Sequence, residues 1–327
     1  MAVRTLLESI RETLAEEMRR DPTMIVLGED VGRKGGVFLT TDGLWAEFGE
    51  DRVIDTPLTE SLIVGASIGA AVNGLRPVPE IQFADFIFPA FNQIVSEAAR
   101  LRYRSNNAFG CPITIRAPYG GGVHGALYHS QSVEAYFTHV PGLKVVVPST
   151  PYDARGLLRS AIRDPDPVLF FEHKKLYRSV RGDVPDTDYV VPLGRAQVTR
   201  PGDHVTVIAY GLMAHYSLEA AELVAGEGIS VEVIDLRTLR PLDTETILGS
   251  VKKTGKCVIV YEDNRFGGYG AEVAAVLAEE AFDYLDGPVV RVAGPDVPGV
   301  PYSHTLEDWF MVDPDKIAAA VRHLAAY

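Results

Sequence analysis

Four stretches of the chain carry side chains whose types and spacing could do chemistry. In DTPLTES, residues 55–61, a β-branched run ends, Pro57 turns the chain, Thr59 stands at a capping position and Glu60 opens an apolar helix. A carboxylate in a first helical turn is stabilised in its charged form by the helix dipole, so it would accept a strong hydrogen bond from a ligand N–H; it could equally do no more than steady its helix. In QFADFIFPAFNQ, residues 82–93, Phe83, Phe86, Phe88 and Phe91 crowd a strand end and a helix start, as core or with one ring as a stacking platform. The loop 117–132, APYGGGVHGALYHSQS, combines glycines that admit close backbone approach with His124 and His129, which have the intrinsic pKa for proton traffic near neutrality. Those two histidines are five apart with no companion acid, which argues against zinc. Finally, YEDNRFGGYGAEV has a Gly-rich strand-to-helix turn, but Gly267, Gly268 and Gly270 do not fit the GxGxxG dinucleotide fingerprint and read as a tight turn.

These stretches need elements to position them, and the pattern supplies a parallel sheet. Short β-branched runs alternate with helical patterns throughout, the sequence form of βαβ units. Strands are predicted at 24–30, 52–57, 80–86, 113–118, 144–149 and 168–173, with helices near 5–20, 59–73, 89–104 and 151–163. The Asp/Pro/Gly-rich segment around 183–194 lacks periodicity and reads as a linker. Beyond it, strands at 205–211, 231–238, 257–263 and 289–294 alternate with helices near 214–226, 243–253, 269–282 and 314–325. The expected fold is therefore α/β with two domains, 1–182 and 195–327, each a mainly parallel sheet with helices on both faces. Ligands of such sheets sit beyond the carboxyl ends of the strands, where the stretches above fall.

Composition narrows the function classes. The chain has 327 residues, enough for two cores, and its 31 basic against 44 acidic residues give a net charge of −13, which argues against nucleic acid as a partner. Only Cys111 and Cys257 are present, in or beside apolar runs, which suits a reducing compartment. The longest apolar stretch, 62–72, falls short of the ~18 residues a membrane span needs. The glutamate-bearing N-terminal helix resembles neither a signal nor a transit peptide, so a cytoplasmic, membrane-free protein is expected.

Taken together, DTPLTES, EIQFADFIFPAFNQIVSEAARLRYRS, GALYHSQSVEA and PGLKVVVPSTPYDARGLLRSAIRDPDP match, in order and spacing, the β chain of the thiamine-dependent decarboxylating component of the 2-oxo acid dehydrogenase complexes. The resemblance covers essentially the whole chain. It implies a transketolase-like pyrimidine-binding domain followed by a transketolase C-terminal domain. It implies that Glu60 bonds the aminopyrimidine ring of thiamine diphosphate, that Phe86 lies against that ring, and that His129 serves transfer of the acyl group to a lipoyl group. Glu29 falls near an acid that links the two active sites of relatives, while His124 is left as a loop residue. Some members hold potassium on positions matching Ile113, Thr114, Ala161, Asp164 and Asp166, so a potassium site is a further expectation, with Asp166 standing where relatives often have Asn.

One absence matters as much. Thiamine enzymes bind the diphosphate and Mg²⁺ through a GDG motif, and none occurs here; the nearest strings are GDV at 182 and GDH at 202. The resemblance therefore implies an α chain that supplies the diphosphate and Mg²⁺ side in an α2β2 heterotetramer, and a lipoyl-bearing acyltransferase core as the next partner. The implied reaction is oxidative decarboxylation of a 2-oxo acid with reductive acylation of the lipoyl group. EIQFADFIFPAF and VHGALYHSQS favour branched-chain substrates, such as 3-methyl-2-oxobutanoate, while GPDVPGVPYS also resembles the pyruvate enzymes, and acetoin dehydrogenase belongs to the same set. Competing readings are a non-catalytic scaffold subunit and a nicotinamide-binding dehydrogenase using the turn at Gly267.

Overall fold

The computed structural model describes residues 1–327, which form two compact units: Met1–Tyr119 with Tyr136–Leu193, and Gly120–Ala135 with Gly194–Tyr327. In the first, the strands are β1 (Ala2–Thr5), β2 (Met24–Gly28), β3 (Val53–Asp55), β4 (Arg76–Glu80), β5 (Thr114–Tyr119), β6 (Lys144–Val146), β7 (Val168–His173) and β8 (Arg181–Val184). Six of these run parallel in the order β6-β7-β5-β4-β2-β3, while β1 and β8 pair antiparallel by themselves. The Leu6–Arg20 helix begins at a capping box, Thr5 with Glu8, and buries Leu6, Leu7, Ile10, Leu14 and Met18, the face its periodicity predicts. Against it lies the Pro151–Arg163 helix, whose Arg155 and Arg163 pair with Glu16 at 2.5 Å and Glu17 at 2.6 Å.

Two expectations shift here. The segment from 181 is not a free linker: β8 pairs with β1, and Val191 donates its N–H to Gly156 O at 3.1 Å. The strand expected at 80–86 instead lies at Arg76–Glu80, and its sequence, RPVPE, puts two prolines in a strand flanked on both sides. Successive N–H groups of a parallel strand point to alternate neighbours. Arg76 N–H reaches Thr23 O on the β2 side, so the prolines at 77 and 79 fall where the N–H would face β5. The backbone ladder to β5 thins accordingly to the single register pair Glu80 with Arg116. The helix expected at 89–104 forms as short 3₁₀, π and α segments, the π turn marked by Ala99 N–H reaching Ile94 O.

Side chains replace the missing ladder. Arg116, fully buried, donates from Nη1 to Glu80 at 2.6 Å and from Nε and Nη2 to both oxygens of Glu172 at 2.7 and 2.8 Å. Tyr177 OH adds a 2.6 Å bond to Glu172, and Thr40 donates to Glu80 at 3.1 Å. Burial pushes the Glu172 carboxyl up against the opposing pull of Arg116.

In the second unit, β9 (Gln197–Arg200), β10 (Val205–Ala209), β11 (Val231–Asp235), β13 (Cys257–Asn264) and β14 (Val290–Gly294) form one sheet, while a three-residue strand, β12 (Thr238–Arg240), lies apart from it. The order is β14-β13-β10-β11-β9, parallel except for the unanticipated edge strand β9. Helices Leu212–Ala225, Thr244–Thr254, Gly270–Glu280 and Pro314–Ala325 fall where periodicity puts them; His304–Phe310 adds a short fifth. Near the end of β13 three acids are buried or nearly so. Glu134 accepts from Tyr210 OH at 2.6 Å; desolvation, with the charges of Asp263 and Glu262, raises its carboxyl to about 8, and Asp263 is raised by burial as well. No helix is long and apolar enough to cross a membrane.

Both constellations make predictions. Arg116→Met strands two buried carboxylates and should cost roughly 3–5 kcal/mol in urea unfolding at neutral pH, a loss that shrinks at mildly acidic pH as Glu172, already pushed up by burial, takes up a proton. For Glu134, the native carboxyl keeps its proton over a range where the unfolded one has lost it. Stability should therefore fall as pH rises from the ordinary carboxylate range to about 8, by at most about 1.4 kcal/mol per pH unit, and Glu134→Gln should flatten that slope.

Candidate active site

The carboxyl ends of β2, β3 and β4 gather the first group. β3 ends at Asp55, whose Oδ1 accepts the Gly32 N–H at 2.6 Å, and a Cβ on Gly32 would lie 2.5 Å from that carboxylate. The chain then turns through Pro57 and opens the Glu60–Val72 helix with Glu60 as its first residue. Thr59 occupies the N-cap position but makes no capping bond, so its expected role is not fulfilled. Glu60 is only 9% exposed, at the positive end of an apolar helix. Glu29 follows β2. Its carboxyl is raised by burial, then by the negative charges of Glu60 and Asp30, and its buried Oε1 has no hydrogen-bond partner. Two acids that feel each other at the end of a parallel sheet, one with an orphaned oxygen, form a cradle for a ligand that offers N–H donors.

The phenylalanines settle differently from a simple core. Of Phe83, Phe86, Phe88 and Phe91 none is fully buried; Ala84, Ile87, Ala90 and Ile94 fill the core between them. Phe83 sits edge-on to Phe86 at 5.8 Å and to Phe38 at 5.4 Å, and Phe38 continues to Tyr177 at 5.2 Å. Tyr177 also bonds Glu172, so the aromatic chain is anchored on the buried Arg116 network. Ser61 Oγ donates to Pro89 O at 3.0 Å, tying the start of the Glu60 helix to the turn that follows Phe86.

The loop Gly120–Ala135, given to the first domain by the sequence reading, belongs to the second unit. Two buried carboxylates grip it. Glu262 Oε1 accepts the Gly121 N–H at 2.5 Å and Ser132 Oγ at 3.3 Å. Glu307, 1% exposed, accepts the N–H groups of Gly122 and His124 at 3.1 and 3.3 Å, while its other oxygen pairs with His124 Nδ1. The His124 ring lies 3.8 Å from that of His304. His124 and Ala126 have φ of 56° and 53°, left-handed values that cost a residue with a side chain about 1–3 kcal/mol each and persist only where surroundings dictate them. His129 closes the turn, its N–H on Ala126 O at 3.3 Å; a Cβ on Gly125 would lie 2.6 Å from His129 O, which requires glycine there. Sequence reading singled out His129 but passed over Glu262 and Glu307, which have no spacing signal and lie more than 130 residues away in the chain.

The expected potassium ligands are already engaged. Asp164 Oδ1 accepts from Lys144 Nζ and from Asp166 N–H, each at 2.9 Å, and Asp166 Oδ1 accepts from Arg102 Nε at 2.5 Å. The carbonyls of Ile113 and Ala161 take the N–H groups of Val168 and Asp164, Thr114 sits within the β5–β7 pairing, and Arg76 covers the carbonyls of Ile162 and Asp164. As arranged, this set does not fit a further cation, because side-chain cations stand on both carboxylates. The turn at Gly267 is equally occupied: Cβ atoms on Gly268 and Gly270 would meet the Tyr261 ring at 2.5 and 2.2 Å, so these glycines serve packing.

Comparison with known proteins bears on both units. Residues 3–180 match the family model described as transketolase, pyrimidine binding domain, and residues 194–317 the transketolase, C-terminal domain. The chain is 59% identical to the 2-oxoisovalerate dehydrogenase subunit beta of Bacillus subtilis over the whole of both chains. It is 48% identical to the pyruvate dehydrogenase E1 component subunit beta of the same organism, over 98% of each. Among solved structures, a split gene transketolase described as an inactive beta4 tetramer matches with a TM-score of 0.79 at 27% identity, over 98% of each chain. With an acid pair at the carboxyl end of the sheet and both transketolase modules in order, the chain belongs to the family of 2-oxo acid dehydrogenase β subunits.

Proposed function

We propose that this chain is the β subunit of a thiamine diphosphate-dependent 2-oxo acid dehydrogenase, with branched-chain 2-oxo acids favoured. The observation that carries the reading is Glu60, a nearly buried carboxylate at a helix N-terminus beside the orphaned oxygen of Glu29. Such an acid fits an aminopyrimidine ring nitrogen, to which Glu60 would give and from which it would regain a proton, with Phe86 against the ring face. When bound, thiamine diphosphate supplies the electron sink for the carbon–carbon bond that breaks as carbon dioxide leaves. The branched-chain preference draws on the greater identity to the 2-oxoisovalerate enzyme than to the pyruvate enzyme.

The missing half of the site argues for a partner. Without a GDG string, the diphosphate and Mg²⁺ fall to an α subunit, in the α2β2 assembly of this reading. The surface supports it: Leu58 is 78% and Leu62 52% exposed beside Glu60, and the edge-paired Phe88 and Tyr136 are exposed as well. Apolar residues that large beside a catalytic acid call for a covering surface. His129 is assigned to delivery of a proton in acyl transfer to a lipoyl group on the acyltransferase core. Potassium is left out of the proposal, its place taken by Lys144 and Arg102.

Dye-coupled decarboxylation of 3-methyl-2-oxobutanoate and pyruvate, with thiamine diphosphate and Mg²⁺, tests this. Activity is expected only when the chain is co-expressed with an α subunit, and faster on the branched substrate; activity of the lone chain would overturn the split site. Glu60→Gln should lower the rate roughly 10²–10⁴-fold with the fold intact, and undiminished decarboxylation would turn the reading to a scaffold subunit. His129→Ala should impair transfer to lipoamide more than dye reduction. Melting of the assembly should be equal in potassium and choline chloride at matched ionic strength, whereas a potassium-specific rise would restore the ion to Asp164 and Asp166.

A further inference from the structure

We propose that Glu307, with Glu262, is a positioning residue that holds the His129 loop in a single strained conformation, so that acyl transfer depends on an acid that touches no substrate. The inference deepens the function proposed above, since it rests on His129 acting in that transfer. Its physical basis is independent of that role. The loop returns on itself through Gly120 N–H to Gln131 O at 3.0 Å and Gln131 Nε2 to Leu127 O at 2.7 Å. Within that closure, His124 and Ala126 are left-handed, a conformation that backbone bonding of the loop alone does not enforce.

Enforcement comes from the carboxylates. One oxygen of Glu307 gathers the two N–H groups that flank Val123, a geometry that a relaxed, extended loop cannot present to one acceptor. Its second oxygen makes the ion-pair contact with His124 Nδ1, and the His304 ring lies 3.8 Å from that of His124. Glu262 binds the loop at both ends, through Gly121 and Ser132. Both carboxylates are buried, at 1% and 5% exposure, where a hydrogen bond from a backbone N–H to a carboxylate counts for more than at the surface. Two chain-distant acids whose named bonds converge on one loop are costly as packing and economical as a clamp. The gripped turn, 121–124, precedes His129 by a single 3₁₀ turn, Ala126–Tyr128, so displacement at His124 is passed to the His129 backbone.

The experiment uses the assembled α–β enzyme and reads the loop directly. In Glu307→Ala, amide hydrogen exchange at Gly122 and His124 should accelerate, acyl transfer to lipoamide should fall on the order of 10²-fold, and dye-coupled decarboxylation and the KM for the 2-oxo acid should stay within a few-fold. Glu307→Gln, which keeps an acceptor for the two N–H groups, should restore most of the protection and part of the transfer. Should Glu307→Ala fail to assemble, His124→Asn, which tolerates the left-handed backbone, removes the ring contact alone and should show the same split at smaller size. Unchanged exchange at 121–124, or equal loss of dye and lipoamide rates, would overturn the clamp. If exchange accelerates while His129→Ala leaves transfer intact, the loop is clamped but for another purpose, and the positioning proposal fails through the role of His129 rather than through Glu307.

Discussion

The buried guanidinium of Arg116 is the interaction on which the first domain turns. β4 lies between β2 and β5, yet its two prolines withdraw the N–H groups that would bind β5. A sheet thinned at its centre would normally open there. Instead Arg116 spans the gap, binding Glu80 on β4 and Glu172 on β7 from its own strand between them. Because Thr40 and Tyr177 bond the same carboxylates, the network also fixes the loop bearing Phe38 and the aromatic chain that runs through Phe83 to Phe86. Buried ion clusters seldom raise stability over an apolar core, but breaking one is costly. What this one secures is registration: the strands that lead to Glu29 and Glu60, β2 and β3, belong to the same sheet that Arg116 braces.

A similar economy governs the second domain, with the sign of charge reversed. Glu134, Glu262, Asp263 and Glu307 are acids with little access to water. Backbone N–H groups bind Glu262 and Glu307, the Ser132 hydroxyl adds to Glu262, and burial holds the Glu134 carboxyl above the usual carboxylate range. An acid that needs N–H donors fixes whichever backbone supplies them. The start of the loop, Gly120–Gly122, is well suited to be fixed, because it has no side chains with which to hold itself.

What the sequence made legible follows from range. Periodicity located the Leu6–Arg20 and Pro151–Arg163 helices, and the β-branched runs located β2, β5, β7, β10, β11 and β13, since these depend on neighbours within one turn or one strand. β4 was misplaced because PVP reads as a breaker; only the bracing by Arg116 makes it tolerable, and that partnership joins residues 36 and 56 apart. Glu60 and His129 stood out through local context, the first at a strand-to-helix turn and the second in a glycine-rich loop. Glu262 and Glu307 carried no such mark, and the assignment of Asp164 and Asp166 to potassium could not foresee Lys144 and Arg102.

The placement of the catalytic acid explains why a divided enzyme is a stable arrangement on the proposed reading. Glu60 needs low water access to exchange a proton selectively, and burial in this chain brings it only to the edge of the surface, between Leu58 and Leu62. Enclosing it within one chain would require a further element over an already apolar helix. On that reading a second subunit would do this while bringing the diphosphate site that the sequence lacks, so that apolar association and completion of the site would become a single event. The exposed residues around Glu60 would then have two consequences from one cause: they would make the lone chain prone to association, and they would leave the acid fully desolvated only with the complementary half in place.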